Sequence, residues 1–290
     1  MGTQSSTWFI TGSSRGLGRS LVTAALEAGD QVVATARKPE QLDDLVERYG
    51  SRVLAVALDV TDADAARAAF ATAGERFGRI DVVVNNAGYA NASAIETTPE
   101  DDFRRQFETN FWGVYHVSTA AIPLLRAQGG GTIVQFSSIG GRVGGSPGLG
   151  SYQAAKFAVD GFTRVLAAET APFGIRCLVV EPGGFATDWA GSSMRVQRVA
   201  PQYEATVGAM NSRHGGATAP GDPARAGEIL VRLVKQPDLP SHLIMGASAV
   251  QMAQDYSRGQ LAEAARWETV SSSADFGRDP VAFPAPEGAR

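Results

Sequence analysis

Short apolar runs alternate with longer stretches in which apolar residues recur every three or four positions. The β-prone runs are Trp8-Phe9-Ile10, Gln31 to Thr35, Val53 to Leu58, Val82-Val83-Val84, Thr132 to Phe136, Cys177 to Val180 and His242 to Met245. Between them the spacing predicts helices over 16–28, 39–49, 62–77, 99–127, 152–172 and 223–235. A strand covered on both faces by crossover helices reads as a continuous apolar run rather than an alternating one. The expected fold is therefore α/β: a doubly wound parallel sheet of about seven strands with helices on both faces. No internal repeat and no linker divides the chain, so residues 1–250 are expected to form a single domain. Residues 251–290 read as a C-terminal extension, helical and then irregular, with Trp267, Phe276 and Phe283 among polar residues and prolines.

The joints between strands and helices carry the chemistry. After the first strand comes Thr11-Gly12-Ser13-Ser14-Arg15-Gly16-Leu17-Gly18. Gly12 permits a tight turn, Gly16 a close approach of backbone to a diphosphate, and Gly18 a close approach of helix to strand. The helix N-terminus that follows favours negative charge. The second strand ends in Ala36-Arg37, where binders of NAD place an acidic residue for the ribose 2′-hydroxyl. Here Arg37 and Arg15 can bracket a 2′-phosphate instead, by charge-assisted bonds. Asp59-Val60 ends the third strand and can reach an adenine amino group. Asn86-Ala87-Gly88 follows the fourth, across the crevice from the first. Asn110 stands in a helical pattern where asparagine is mildly unfavourable, which points to a kink or an anchored water.

Ser137-Ser138 ends the fifth run, and a loop rich in glycine leads to Tyr152-Gln153-Ala154-Ala155-Lys156. Tyr152 and Lys156, spaced i, i+4, share one helix face. A neighbouring ammonium favours phenolate and lowers the tyrosine pKa, which suits the pair to general acid–base work. Either serine can bond a substrate oxygen beside them.

Composition narrows the partners. Charged residues are 19% and the net charge is −4, with no basic stripe for nucleic acid. No apolar run reaches the ~20 residues of a membrane helix. No basic region followed by an apolar stretch opens the chain, so a cytoplasmic protein is expected. Without that route the sequon Asn91-Ala92-Ser93 reads as chance. Cys177 is the only cysteine and reads as a buried structural thiol, and His116, His214 and His242 have no ligand spacing, so no metal site is expected.

Residues Thr11 to Gly18, Asp59, Asn86-Ala87-Gly88, Asn110, Ser138, Tyr152 and Lys156 together resemble the short-chain dehydrogenase/reductase family, over about residues 7–250. The resemblance implies a Rossmann sheet and an NADP(H)-dependent carbonyl reductase or alcohol dehydrogenase, with NAD(H) less favoured. It makes Tyr152 the acid/base, has Ser138 orient the substrate oxygen, and has Lys156 bond the nicotinamide ribose and lower the tyrosine pKa. Asn110 would hold a relay water, and Pro182, Gly183 and Thr187 would seat the nicotinamide carboxamide. Homo-oligomers, dimers or tetramers, are common in the family. The alternative on the same fold is a non-catalytic NADP-binding regulator, which predicts damage to these residues, and none is seen. Thirteen residues separate Ser138 from Tyr152, one more than the family's commonest pattern, and this leaves open which serine faces the substrate.

The last feature is the stretch 188–222, long for a connection. Its apolar residues, Trp189, Met194, Tyr203, Val207 and Met210 among them, alternate with glycines. They predict one or two short amphipathic helices forming a substrate lid, and a bulky apolar or aromatic substrate.

Overall fold

The computed structural model describes residues 5–187, 194–214, 219–279 and 281–284. Seven strands form one parallel sheet: β1 (Thr7–Ile10), β2 (Gln31–Ala36), β3 (Val53–Ala57), β4 (Val82–Asn85), β6 (Gly131–Phe136), β7 (Ile175–Pro182) and β9 (His242–Met245). Their order is β3-β2-β1-β4-β6-β7-β9. The chain reverses direction across the sheet at β1, which pairs with both β2 and β4. A crevice opens there, beyond the carboxyl ends of the strands, and ligands of such sheets bind in it.

Alternate side chains of each strand leave on opposite faces. Trp8, Ile10, Val32, Val82, Val84, Val134 and Phe136 pack under α1 (Gly16–Glu27) and α8 (Pro223–Val234). Phe9, Val33, Val83 and Ile133 pack under α3 (Ala63–Phe77), α5 (Gly113–Ala127) and α6 (Gly150–Thr170). Trp8 is fully buried, and its indole N–H donates to Asp30 at 2.9 Å. Lys235, 2.7 Å away, neutralises that buried carboxylate and ties the start of β2 to the end of α8. Asp62 caps α3, accepting from the backbone N–H of Asp64 and Ala65, both at 2.9 Å.

Three departures from the sequence expectations matter for the site. The helix expected over 99–127 is interrupted. α4 (Glu100–Phe107) runs into a π-helical turn over Glu108–Trp112 before α5 begins, and Asn110 sits fully buried in that turn. The short helices expected from Met194 onward begin instead as a strand. β8 (Met194–Val196) pairs in parallel with β5 (Ala90–Ala92), and helical structure follows from Pro201, as a 3-10 turn over Pro201–Tyr203 and a π-helical turn over Glu204–Gly208 that runs into α7 (Ala209–His214). Met194 packs on Ala90, Ala92, Leu149 and Tyr152, Val207 is buried, and the Tyr203 hydroxyl bonds Glu96. Trp189 lies outside the described residues. Finally, α9 (Ala247–Ser272) starts before residue 250, with Ala249 and Ala253 buried against the domain. An irregular segment follows in which Phe283 meets Trp267 edge-on, ring centroids 6.2 Å apart. α2 (Asp43–Tyr49) completes the set, preceded by a short turn over 39–42.

Candidate active site

Thr11 and Asn86 lace β1 to β4 across the crevice. The Thr11 hydroxyl accepts from the backbone N–H of Asn86 and Ala87 at 3.0 and 3.1 Å. The Asn86 amide donates back to the carbonyls of Thr11 and Gly12, at 3.0 and 3.1 Å. Asn86 thus spends its side-chain donors bracing the turn. Gly12 and Gly16 have φ of +67° and +58°, a region that glycine enters without penalty. Gly18 is required by space. A Cβ there would lie 2.3 Å from both Asn86 Nδ2 and the Gly12 carbonyl oxygen.

These loops bound a cleft of about 1710 Å³. Every site residue named from the sequence lines it except Gly18 and Asn110, which lie behind its wall. At the β2 end Ala36 is buried, and Arg15 and Arg37 are exposed at the rim. Neither arginine makes an ion pair among the described residues. Lys38, missed in the sequence although adjacent to Arg37, also lines this end. One oxygen of Asp59 is held by the backbone N–H and hydroxyl of Thr61, at 3.0 and 2.8 Å.

At the other end α6 brings Tyr152 and Lys156 onto one face, 7% and 4% exposed. The Ser138 hydroxyl bonds Tyr152 and accepts from the Gly140 N–H at 3.0 Å. Ser137 instead donates to the Lys156 carbonyl at 2.9 Å and is buried, so Ser138 is the serine that stands beside the tyrosine. The Lys156 ammonium donates to the Phe136 carbonyl at 2.6 Å and lies 5.8 Å from the centre of the Tyr152 ring. Asn110 clamps Tyr89, accepting from its N–H at 3.0 Å and donating to its carbonyl at 2.9 Å. One N–H and one lone pair of its side-chain amide are thus committed to Tyr89. Next to the clamp, a Cβ on Gly88 would stand 2.5 Å from Asn110 Oδ1. Pro182 and Gly183 lead off β7, and Gly183 donates to the Met245 carbonyl at 2.9 Å. Thr187 faces Gly16 across the cleft, with its Cβ 3.6 Å from where a Gly16 Cβ would be. Behind Pro182, Glu181 is fully buried and paired with Arg142 at 2.8 Å.

The electrostatics differ from the sequence expectation. Burial pushes the Tyr152 hydroxyl up to about 12, against an opposing bond from Ser138. With the Lys156 ammonium held on the Phe136 carbonyl, desolvation of the buried hydroxyl sets the direction. The same burial pushes Lys156 down, to about 8. Between that value and the ordinary 10.5 the unfolded chain holds more protons than the folded one. Stability therefore rises with pH across that window, and the cost of burying the cation is fully present below it. Lys156→Met is expected to remove this increment, so the stability gap between variant and wild type narrows as pH rises through the window. Urea midpoints of the two proteins check this. A gap independent of pH would contradict it.

The cleft fits a dinucleotide in this chain's own terms. Its phosphate end is a turn where glycine backbone and a helix N-terminus are open, and its far end holds a buried acid and cation. Sequence signals for the remaining wall were weak: Tyr89, Asn91, Asp102 and Arg105, then Ser146, Leu149 and Gln153, and Ser248 and Met252 of α9 also line the cleft. Tyr89 and Gln153 adjoin the motifs, whereas the others are remote from them and only the fold gathers them.

Comparison with known proteins agrees with the geometry. The sequence profile described as short chain dehydrogenase matches residues 6–198. Oxidoreductase BOA17 of Botryotinia fuckeliana is 49% identical over 267 residues, covering 91% of this chain and 97% of that protein. The crystal structure of a short-chain dehydrogenase from Streptomyces avermitilis superposes with a TM-score of 0.89 at 37% identity, covering 95% of this chain and all of the other. An alcohol dehydrogenase from Thermococcus sibiricus, complexed with 5-hydroxy-NADP, superposes with a TM-score of 0.69 at 25% identity, covering 83% of this chain and 96% of that one.

Proposed function

The chain belongs to the short-chain dehydrogenase family and is an oxidoreductase enzyme, and on that premise we propose that it interconverts a carbonyl and an alcohol with NADP(H). The observation that carries the proposal is the contact of Ser138 with Tyr152 one helical turn from Lys156, at the end of a cleft sized for a dinucleotide. When bound, the nicotinamide supplies hydride to a carbonyl carbon or accepts it from a carbinol. The protein does the rest. Ser138 holds the substrate oxygen by a hydrogen bond. Tyr152, kept protonated at neutral pH by burial, donates its proton to that oxygen during reduction. Lys156 stabilises the phenolate left behind and bonds the nicotinamide ribose. Gly12, Ser14, Gly16 and Leu17 offer backbone to the diphosphate, and Asp59, Val60, Ala87 and Gly88 hold the adenosine side and its neighbour. Pro182, Gly183 and Thr187 seat the carboxamide. Arg15 and Arg37, with Lys38, favour a 2′-phosphate and therefore NADP(H) over NAD(H).

The substrate side supports a bulky apolar or aromatic ketone or alcohol. Leu149 lines the cleft there beside Tyr152, and Ala90, Ala92 and Met194 pack around the tyrosine behind it. The segment 194–214 serves as the cover of this side. Exposed Trp112 and Tyr115 on and beside α5 suit an interface in a homo-oligomer, a dimer or tetramer. Among the described residues no helix is long and apolar enough to cross a membrane, and we place the enzyme in the cytoplasm. A panel of aromatic and aliphatic ketones, small keto acids and sugars, each followed by absorbance of NADPH and NADH, tests the reading. Aromatic ketones with NADPH should be turned over fastest. NADPH that binds yet is consumed with none of them would mean a regulator.

A further inference from the structure

We propose that Asp102 is a positioning residue that fastens the cover segment 194–214 to the helix bearing Tyr152, and thereby sets substrate affinity. The proposal rests on the reading of that segment as the cover of the substrate side.

The β5–β8 pair has three residues in each strand, and an isolated two-stranded sheet is marginal in water. Something else must hold it. Asp102, on α4 and 7% exposed, receives the Asn91 amide with both oxygens, each at 2.8 Å. Its Oδ2 also accepts from Gln197 at 3.2 Å, just past the end of β8, and its Oδ1 from Arg105 at 3.2 Å. From Asn91 the network continues inward. The Asn91 backbone N–H donates to Gln106 at 3.1 Å, and fully buried Gln106 donates to Ser151, the residue before Tyr152. One carboxylate thus joins β5, α4 and the cover strand to the first turn of α6.

The arrangement leaves one polar atom of the network without a partner among the described residues. Asn91 is 4% exposed, and that atom is its buried Oδ1. Turning the amide over would bring that oxygen against the carboxylate, so Asp102 dictates the orientation and leaves the acceptor unmet. A buried unmet acceptor costs stability. It is retained here in a stretch where Asn91, Asp102 and Arg105 all line the cleft, which points to a demand for geometry at the site.

Asp102→Asn keeps the shape but sets an amide against the donors of Asn91 and Gln197. We expect substrate KM to rise about tenfold, the scale of one mismatched buried hydrogen bond, with kcat within about twofold. NADPH affinity by calorimetry should be unchanged, and trypsin should cut after exposed Arg198 about tenfold faster, by the same loosening. The exchange Asn91→Asp with Asp102→Asn restores donor to acceptor and should return both KM and cleavage toward wild type. Wild-type KM and cleavage in Asp102→Asn would overturn the proposal. So would a parallel loss of kcat, NADPH affinity and melting temperature, or a double variant no better than the single one. Cleavage and its rescue need no substrate, so a failed activity panel would not be mistaken for failure of this inference.

Discussion

Tyr152→Phe is expected to lower kcat by at least ~100-fold, the low end for removal of a general acid–base group, while NADPH affinity stays within about twofold. The ring packs with Ala90, Ala92 and Leu149, and phenylalanine keeps that packing. What goes is the hydroxyl that Ser138 bonds. With the hydroxyl near 12, the tyrosine enters the reaction protonated, so reduction has its proton in place at neutral pH. Oxidation needs the phenolate, and its rate is expected to climb as pH rises, since a deprotonated base must first form. Steady-state kinetics in both directions, with calorimetric NADPH binding, check this. Substantial residual turnover in Tyr152→Phe would remove the tyrosine from the mechanism.

Arg37→Asp is expected to invert cofactor preference. The arginine is exposed at the rim beside buried Ala36, and an aspartate there repels a 2′-phosphate while it can accept from a 2′-hydroxyl. The ratio of kcat/KM for NADPH to that for NADH should fall by about 100-fold, since a charge-assisted pair is replaced by repulsion. Arg15 and Lys38 remain and set a floor to the change. A ratio equal to wild type would mean that Arg37 faces solvent when cofactor binds.

Much of this was legible because the decisive residues announce themselves locally. Gly12, Gly16 and Gly18 follow a strand and open a helix, and each has a single physical reason to be glycine. Tyr152 and Lys156 need only helical spacing to meet. The inner sheet strands were visible because burial on both faces makes them largely apolar, and the half-buried edge strands β3 and β9 still read as short apolar runs. What stayed hidden depends on distance in the sequence or on too few residues to show a period. β5 and β8 are Ala-Asn-Ala and Met-Arg-Val, three residues each. The choice between Ser137 and Ser138 rests on which hydroxyl the Lys156 carbonyl takes. The direction of the Tyr152 shift is a balance between desolvation and the bond from Ser138, and only the burial that the fold creates decides it. The asparagine in mid-helix did signal a kink, but its service to Tyr89 needed the fold.

The most direct test follows an isotope. NADPH deuterated at the transferring position of the nicotinamide C4, turned over with an aromatic ketone, should give an alcohol with one deuterium on the carbinol carbon, and in one configuration. Tyr152→Phe should form that product at least ~100-fold more slowly. Alcohol that carries solvent hydrogen on that carbon, or NADPH that binds and stays reduced with every ketone of the panel, would contradict the account.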